Sequence, residues 1–251
     1  MFKVVLSDPD LLRIPISTIA ELIDEGVFHV AKDGISLLAA DRAMVAVVDF
    51  KILANAFEEF KVEKESDVGL NVSNLLSILK RAGGGEKIEI STEDSNRLKI
   101  ALTNSSRRRF LLPIIEISQE EIPPIDQLEF SAKVEIKPDI LAESIKDAEI
   151  ISDVILIEAS KEGFRIKAEG DISQTETFLE KGNENLLDIK ANDTVDARYP
   201  LDYLKKMIKA AKLADSATIE FAKDYPMKLS FNVTDKLKLA FVLAPRVIES
   251  E

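Results

Sequence analysis

The sequence predicts an α+β protein built from two copies of one β-rich domain, each copy carrying two helices. Three observations lead there. Segments of similar pattern recur in the same order at one spacing. Short runs alternate apolar and polar residues, as half-buried strands do. An acidic stretch with paired prolines separates the two halves. The recurrence is an offset of 129 residues, seen four times. It relates Pro9-Asp10-Leu11-Leu12 to Pro138-Asp139-Ile140-Leu141, and Asp33-Gly34-Ile35-Ser36-Leu37 to Glu162-Gly163-Phe164-Arg165-Ile166. It also relates 75–80 to 204–209, and Lys99-Ile100-Ala101-Leu102 to Lys228-Leu229-Ser230-Phe231.

Each copy starts with a short strand and a helix opened by Pro and Asp, residues that favour helix starts. Strands are expected at 27–31, 35–39 and 44–50 in the first copy and at 155–159, 164–168 and 175–179 in the second. Lys32-Asp33-Gly34 and Lys161-Glu162-Gly163 supply hairpin turn chemistry between them. A second helix follows, at 72–82 and 200–213. Two more strands close each copy, at 87–91 with 98–102 and at 217–222 with 227–233. The expected organisation is therefore an N-terminal domain over 1–114, a connecting loop over 115–128 and a C-terminal domain over 129–251. In the loop, Pro123-Pro124 blocks helix and disfavours interior strand. Glu116, Glu120, Glu121 and Asp126 keep it solvated, and Ile115, Ile117, Ile122 and Ile125 give it apolar points.

Composition narrows the function. The chain has 251 residues, 46% of them hydrophobic, enough for one large or two modest cores. No apolar run approaches the roughly 18–20 residues of a membrane-spanning helix. Met1-Phe2-Lys3-Val4-Val5-Leu6-Ser7-Asp8 turns polar too soon for a leader peptide. A soluble, intracellular protein is expected. Absence of cysteine removes disulfides, thiolate metal sites and cysteine nucleophiles. A formal charge of −12 argues against nucleic acid on average, yet says nothing about how charge is distributed.

The second helix of each copy shows that distribution. On a wheel of 100° per residue, Leu204, Met207, Ile208 and Ala211 share one side, with Leu201 at its margin; Lys205, Lys206, Lys209 and Lys212 share the other. In the first copy Val72, Leu75, Leu76 and Leu79 oppose Ser73, Ser77, Lys80 and Arg81. Two equivalent cationic faces in an acidic chain suit salt-sensitive, sequence-independent phosphate contacts. Nothing suggests base reading: zinc-finger and helix-turn-helix signatures are absent, and aromatics make up 6% of the chain.

Catalytic patterns are scarce. His29 is the one histidine, set in a strand, which excludes HExxH sites and Ser-His-Asp triads. Gly83-Gly84-Gly85 is followed by Glu86-Lys87 rather than Gly-Lys-Ser/Thr, so it reads as a helix-ending turn, not a phosphate loop. No carboxylate pair stands out among 45 acids. Two alternatives remain beside a scaffold that contacts phosphates without reading bases: a metal-dependent, acid-based hydrolase, and a two-repeat protein-binding scaffold whose lysine helices meet an acidic protein.

Leu76-Ser77-Ile78-Leu79-Lys80-Arg81-Ala82-Gly83, Ala40-Asp41-Arg42-Ala43-Met44-Val45 and Val242-Leu243-Ala244-Pro245-Arg246-Val247 resemble the proliferating cell nuclear antigen family, its archaeal members above all. The resemblance covers the whole chain in order. It implies the DNA-clamp fold, with three subunits arranged head to tail in a pseudo-sixfold ring whose inner helices face duplex DNA. It implies a DNA polymerase processivity factor, not an enzyme and without cofactor or metal, in the cytoplasm of an archaeon with the chromosomal DNA. Its partners would be the clamp loader (replication factor C), DNA polymerase, flap endonuclease and DNA ligase, bound through a clamp-interacting motif.

Carried onto this sequence, the resemblance assigns three sets of residues. Arg13, Lys80, Arg81, Lys146, Lys205, Lys206, Lys209 and Lys212 would face DNA. Met44, Val45, Val47, Ile122, Pro123, Ile125, Tyr225, Pro226, Val242, Ala244, Pro245 and Val247 would form the partner pocket, with the linker register open by a position or two. Arg107, Arg108, Arg109, Phe110 and Leu112 would meet Glu176, Phe178 and Glu180 of a neighbouring subunit, whether the same chain or a related one. The alternative for Arg107–Arg109, a loop that touches DNA, stays open. Two departures from the family pattern stand out. Pro15 falls inside the first helix, where proline costs on the order of 3 kcal/mol or kinks the axis, and Ile150 replaces a basic position.

Overall fold

The computed structural model describes residues 1–94, 96–118 and 121–247, apart from the side chain of Glu93; Glu120 of the linker lies outside the described residues. Contacts divide the chain into two compact units. Met1–Arg42, Val48–Glu121 and Asn232–Leu239 form one; Ala43–Val47, Ile122–Phe231 and Ala240–Glu251 form the other.

The first unit follows the order β1 (Phe2–Leu6), α1 (Asp10–Ile19), β2 (Glu25–Ala31), β3 (Gly34–Ala40), β4 (Ala46–Leu53), β5 (Glu59–Val62), β6 (Ser66–Asn71), α2 (Val72–Leu79), β7 (Lys87–Asp94), β8 (Arg97–Thr103) and β9 (Arg107–Pro113). The second repeats it with β10 (Ala132–Ile136), α3 (Pro138–Glu149), β11 (Val154–Ala159), β12 (Gly163–Glu169), β13 (Gln174–Glu180), β14 (Leu186–Ala191), β15 (Val195–Pro200), α4 (Leu201–Met207), β16 (Ala217–Phe221), β17 (Met227–Val233) and β18 (Leu237–Leu243). Pairing repeats as well. The strand order β5-β1-β7-β8-β9 matches β14-β10-β16-β17-β18, and β4-β3-β2-β6 matches β13-β12-β11-β15. The spacing of 129 residues survives in the starts of β3 and β12, β6 and β15, and α2 and α4. Among the described residues, no helix is long and apolar enough to cross a membrane.

Alternation fixes the faces: Phe2, Val4 and Leu6 of β1 turn inward, as do Ala132, Val134 and Ile136 of β10. In the first unit α1 packs on α2, burying Leu11, Leu12, Ile16 and Ile19 of one and Val72, Leu75, Leu76 and Leu79 of the other. Each such side chain contributes about 1.5–3 kcal/mol when fully removed from water. At the start of α1 the Asp8 carboxylate accepts the Asp10 N–H at 3.1 Å. Pro15 leaves the Leu11 carbonyl without its helical donor, yet α1 continues to Ile19 and the proline ring is buried.

The sequence reading is corrected in four places. Strands β5, β6, β14, β15 and β18 were not expected. β6 reads Ser-Asp-Val-Gly-Leu-Asn, a turn-like composition that hides three consecutive buried residues. β4 begins at Ala46 rather than 44, because Met44 takes φ 56, a left-handed conformation no strand accommodates. The helix expected at 72–82 ends at Leu79, and Lys80 caps it. The helix expected at 200–213 is α-helical only from Leu201 to Met207, then 3-10 from Ile208 to Leu213, while Pro200 closes β15. A 3-10 turn advances 120° per residue. After the α-helical stripe Leu201, Leu204 and Met207, the next inward residue is therefore three positions on, so Ala210, not Ala211, completes the buried side.

After α2, Glu86 is nearly inaccessible, at 7% exposure. It accepts the Gly83 N–H at 2.6 Å and the Arg108 guanidinium at 2.7 Å, and Arg108 also donates to the Arg81 carbonyl at 3.0 Å. The Gly83 N–H, and then Arg108, hold the Glu86 carboxyl below the usual carboxylate range. The helix end and strand β9 are thus fastened by one buried carboxylate.

Two outcomes are expected. Gly34 and Gly163 occupy equivalent places, and a Cβ on either would lie 2.2 Å from a backbone oxygen, that of Ile52 or Leu179. Gly34→Ala and Gly163→Ala should each lower unfolding free energy by about 2–4 kcal/mol in urea melts. Gly84→Ala, with nothing within 4 Å of its Cβ, should change it by less than about 0.5 kcal/mol. Because the folded pKa of Glu86 is depressed, its stabilisation is complete above the ordinary carboxylate range and is lost as pH falls through the lowered value. Glu86→Gln should be less stable than the parent at neutral pH, with a gap that closes on acidification below the ordinary carboxylate pKa of 4.5. A gap constant from pH 7 to pH 3 would reject that role.

Candidate nucleic-acid interface, partner groove and strand edges

Burial of the apolar stripe of α2 leaves Ser73, Ser77, Lys80 and Arg81 exposed. Arg13 on α1 joins the first-unit set, donating to the Ala82 carbonyl at 3.4 Å while its guanidinium pairs with Asp10. In the second unit, α3 packs on α4. Lys146 of α3 and Lys209 and Lys212 of the α4 segment are exposed, and Lys205 and Lys206 are half-buried. The Lys206 ammonium lies 5.1 Å from the Tyr203 ring centroid, a cation–π contact that keeps it near the helix surface.

The cationic face of α4 is less purely basic than its own sequence indicates. Glu149, at the end of α3, pairs with Lys205. Lys146 bonds Glu143 one turn away at 2.6 Å, and that hydrogen bond, followed by the carboxylate charge, raises the lysine pKa above its ordinary value. Position by position, the wheel of α4 could not see an acid arriving from another helix. Ile150, which follows α3, is 81% exposed, an apolar residue where the resemblance leads one to expect a cation.

The groove residues all belong to the second unit. The Ala244 N–H donates to the Val45 carbonyl at 2.9 Å, joining the chain end to the 43–47 segment. The Arg246 N–H donates to the Arg198 carbonyl at 2.7 Å, joining it to β15. From the same strand, the hydroxyl of fully buried Tyr199 donates to the Tyr225 carbonyl at 2.8 Å, and burial pushes its pKa well up. Phe130 meets the Tyr225 ring edge-on at 6.3 Å, so the segment after the linker reaches the same turn. Val47 and Val242 are buried, while Val45, Ile122, Ile125, Tyr225, Pro226, Ala244 and Pro245 are half-buried. Met44, Pro123 and Val247 are exposed. Met44 and Asp224 take φ 56 and 50, and such left-handed residues mark places where the surroundings hold the backbone against its preference. Tyr199, Phe130 and Arg198 were missed in the sequence; only the unexplained aromatic at 199 offered a signal.

The two strand edges also differ from expectation in detail. β9 is the end strand of its sheet and β13 of its own. On β9, Arg107, Arg109 and Leu111 are exposed, whereas Arg108 turns to Glu86 and Leu112 is buried. Phe110 is half-buried. Alternation from Arg107 would have selected Leu111, 40% exposed, in place of Leu112. On β13, Glu176, Phe178 and Glu180 are exposed on one face; Arg165 lies 3.3 Å from Glu176 and 5.0 Å from the Phe178 ring. Elsewhere, His29 lies 2.7 Å from Asp67, its cross-strand partner, on the open face of β2.

Comparisons with known proteins place this geometry. Residues 1–121 match the model of the proliferating cell nuclear antigen N-terminal domain, and residues 124–246 match that of its C-terminal domain. The chain is 34% identical over 248 residues to the DNA polymerase sliding clamp of Pyrococcus abyssi, covering 99% of both chains. It is 33% identical over 246 residues to that of Thermococcus fumicolans, covering 98% of both. A crystal structure of PCNA from Thermococcus kodakaraensis superposes with a TM-score of 0.92 at 28% identity, over 98% of this chain and 100% of that one. A chain of the PCNA2–PCNA3 complex from Sulfolobus tokodaii gives 0.90 at 28% identity, over 97% and 99%. With both domains matched in order along nearly its whole length, the chain belongs to the proliferating cell nuclear antigen family of DNA polymerase sliding clamps.

Proposed function

We propose that three copies of this chain close into a ring around duplex DNA and act as a non-catalytic processivity factor. The ring holds replication and repair enzymes at their template. The observation that carries this reading is the full-length match to both clamp domains. Cations exposed just after α2, on α3 and along the 3-10 turn after α4 of an otherwise acidic chain support it. Arg13, Lys80, Arg81, Lys146, Lys205, Lys206, Lys209 and Lys212 meet phosphates without reading bases, so the ring is free to slide. The groove at Met44, Val45, the linker around Ile122, Pro123 and Ile125, Tyr225 and the chain end takes the aromatic anchors of partner motifs. Those partners are DNA polymerase, flap endonuclease and DNA ligase, with replication factor C as the loader, in the cytoplasm with the chromosome. Arg107, Arg109 and the apolar residues of β9 pair with Glu176, Phe178 and Glu180 of the next subunit, a heterologous contact that closes into a ring.

On primed circular DNA with a loader, the chain should stimulate its polymerase, and the effect should disappear on linear DNA with free ends; equal stimulation on both would exclude encirclement. Changing Lys205, Lys209 and Lys212 together to Glu should cut that stimulation by about tenfold or more, since three positive charges per subunit become negative toward phosphate, with circular dichroism unchanged. Pro245→Asp with Val247→Asp should weaken a motif peptide at least roughly tenfold by calorimetry, while native mass still reports three chains. A monomer at micromolar concentration, or assembly only with a second clamp chain, would overturn the self-closing ring.

A further inference from the structure

Among the cations that the second unit is proposed to turn toward DNA, Lys205 and Lys146 already have carboxylate partners. Lys205 of α4 pairs with Glu149 of α3, and Lys146 pairs with Glu143 on its own helix. Arg13 is held in the same way by Asp10 in the first unit. We infer that Glu149 and Glu143 are built-in competitors for DNA phosphate, which set how weakly this chain holds the duplex; this rests on the proposed reading of α3 and α4 as DNA-facing. A free lysine that meets a phosphate releases about 0.9 of a condensed counterion, which is the source of salt-dependent affinity. A lysine shared with a carboxylate gains less. To reach phosphate it leaves Glu149 unpaired and negative beside a polyanion, so the attraction gained is offset by repulsion at a few ångströms. The carboxylate thus acts as an internal counterion that screens the site at every salt concentration. Both partners are partly solvated, at 42% and 49% exposure, so the pair exchanges easily. A ring that must remain attached by topology gains nothing from a tight grip, and an acid beside each of two lysines lowers the friction of sliding.

The test is a titration of a labelled short duplex with the full-length assembled protein, by fluorescence anisotropy, across KCl from about 20 to 200 mM, where phosphate contacts dominate the salt response. Glu149→Gln and Glu143→Gln should each tighten binding at low salt by roughly threefold or more and steepen the salt dependence. Glu184→Gln, an exposed acid in the turn before β14, controls for the simple loss of one negative charge and should do neither. Lys205→Gln should weaken binding. If Lys205→Gln weakens binding while both helix variants behave like Glu184→Gln, the competitor role is overturned and the DNA-facing reading stands. If Lys205→Gln and the triple charge reversal both leave duplex binding intact, the DNA-facing reading fails and the inference falls with it. Should Glu149→Gln not fold, Glu143→Gln decides by the same comparison.

Discussion

Burial of one apolar stripe per helix decides where the functional charges stand. On α2, Val72, Leu75, Leu76 and Leu79 go inward, and the polar remainder of a single helical turn, Ser77 with Lys80 and Arg81, has only the outside left. The α4 segment reaches the same outcome by different geometry. Its last turn tightens to 3-10, so Ala210 follows Leu201, Leu204 and Met207 inward and Lys209 and Lys212, three residues apart, go out together. The cations need no direct instruction. They occupy the surface that the core leaves behind, which is how an acidic chain presents basic faces without a basic composition.

This explains how much of the protein was legible. Periodicity found both cationic faces, the paired helices and the duplication, because all of these are written in spacing along one segment. It missed β6 and β15, whose residues look like loops until a neighbouring strand supplies their hydrogen bonds. It placed Arg108 at an edge, since three consecutive arginines carry no sign that the middle one belongs to Glu86, twenty-two positions earlier. It also drew α4 as purely basic, because Glu149 arrives from α3. What was lost in each case is a contact between distant segments, to which a hydropathy pattern is blind.

The groove residues illustrate a different limit. Their apolar character can be read from Met44, Val45, Pro245 and Val247, but not the device that keeps them accessible. Hydrogen bonds from Ala244 to Val45, from Arg246 to Arg198 and from Tyr199 to Tyr225 hold the chain end and two turns in fixed positions. Within that frame Met44 stays 43% exposed on a left-handed backbone. An exposed methionine at positive φ is unfavourable locally, and the backbone bonds around it supply the constraint that maintains it. A flexible, polarizable side chain at such a place could adapt to different aromatic anchors, which suits the groove proposed above.

Edge chemistry and helix chemistry meet at Glu86. Because this carboxylate holds both the Gly83 amide and Arg108, the position of β9 and the end of the cationic α2 are set by the same group. In the proposed ring, one side of β9 would face a neighbouring subunit while α2 faces DNA. Arg108 is turned inward to Glu86 and Arg107 also reaches Glu89 of its own sheet at 3.3 Å, while Leu111 leaves exposed apolar surface on the edge. Exposed ion pairs alone are worth little. In the proposed ring, closure would therefore rest on backbone pairing of two end strands with Leu111, Phe110 and Phe178, and the arginine–glutamate complement would mainly select which edges meet.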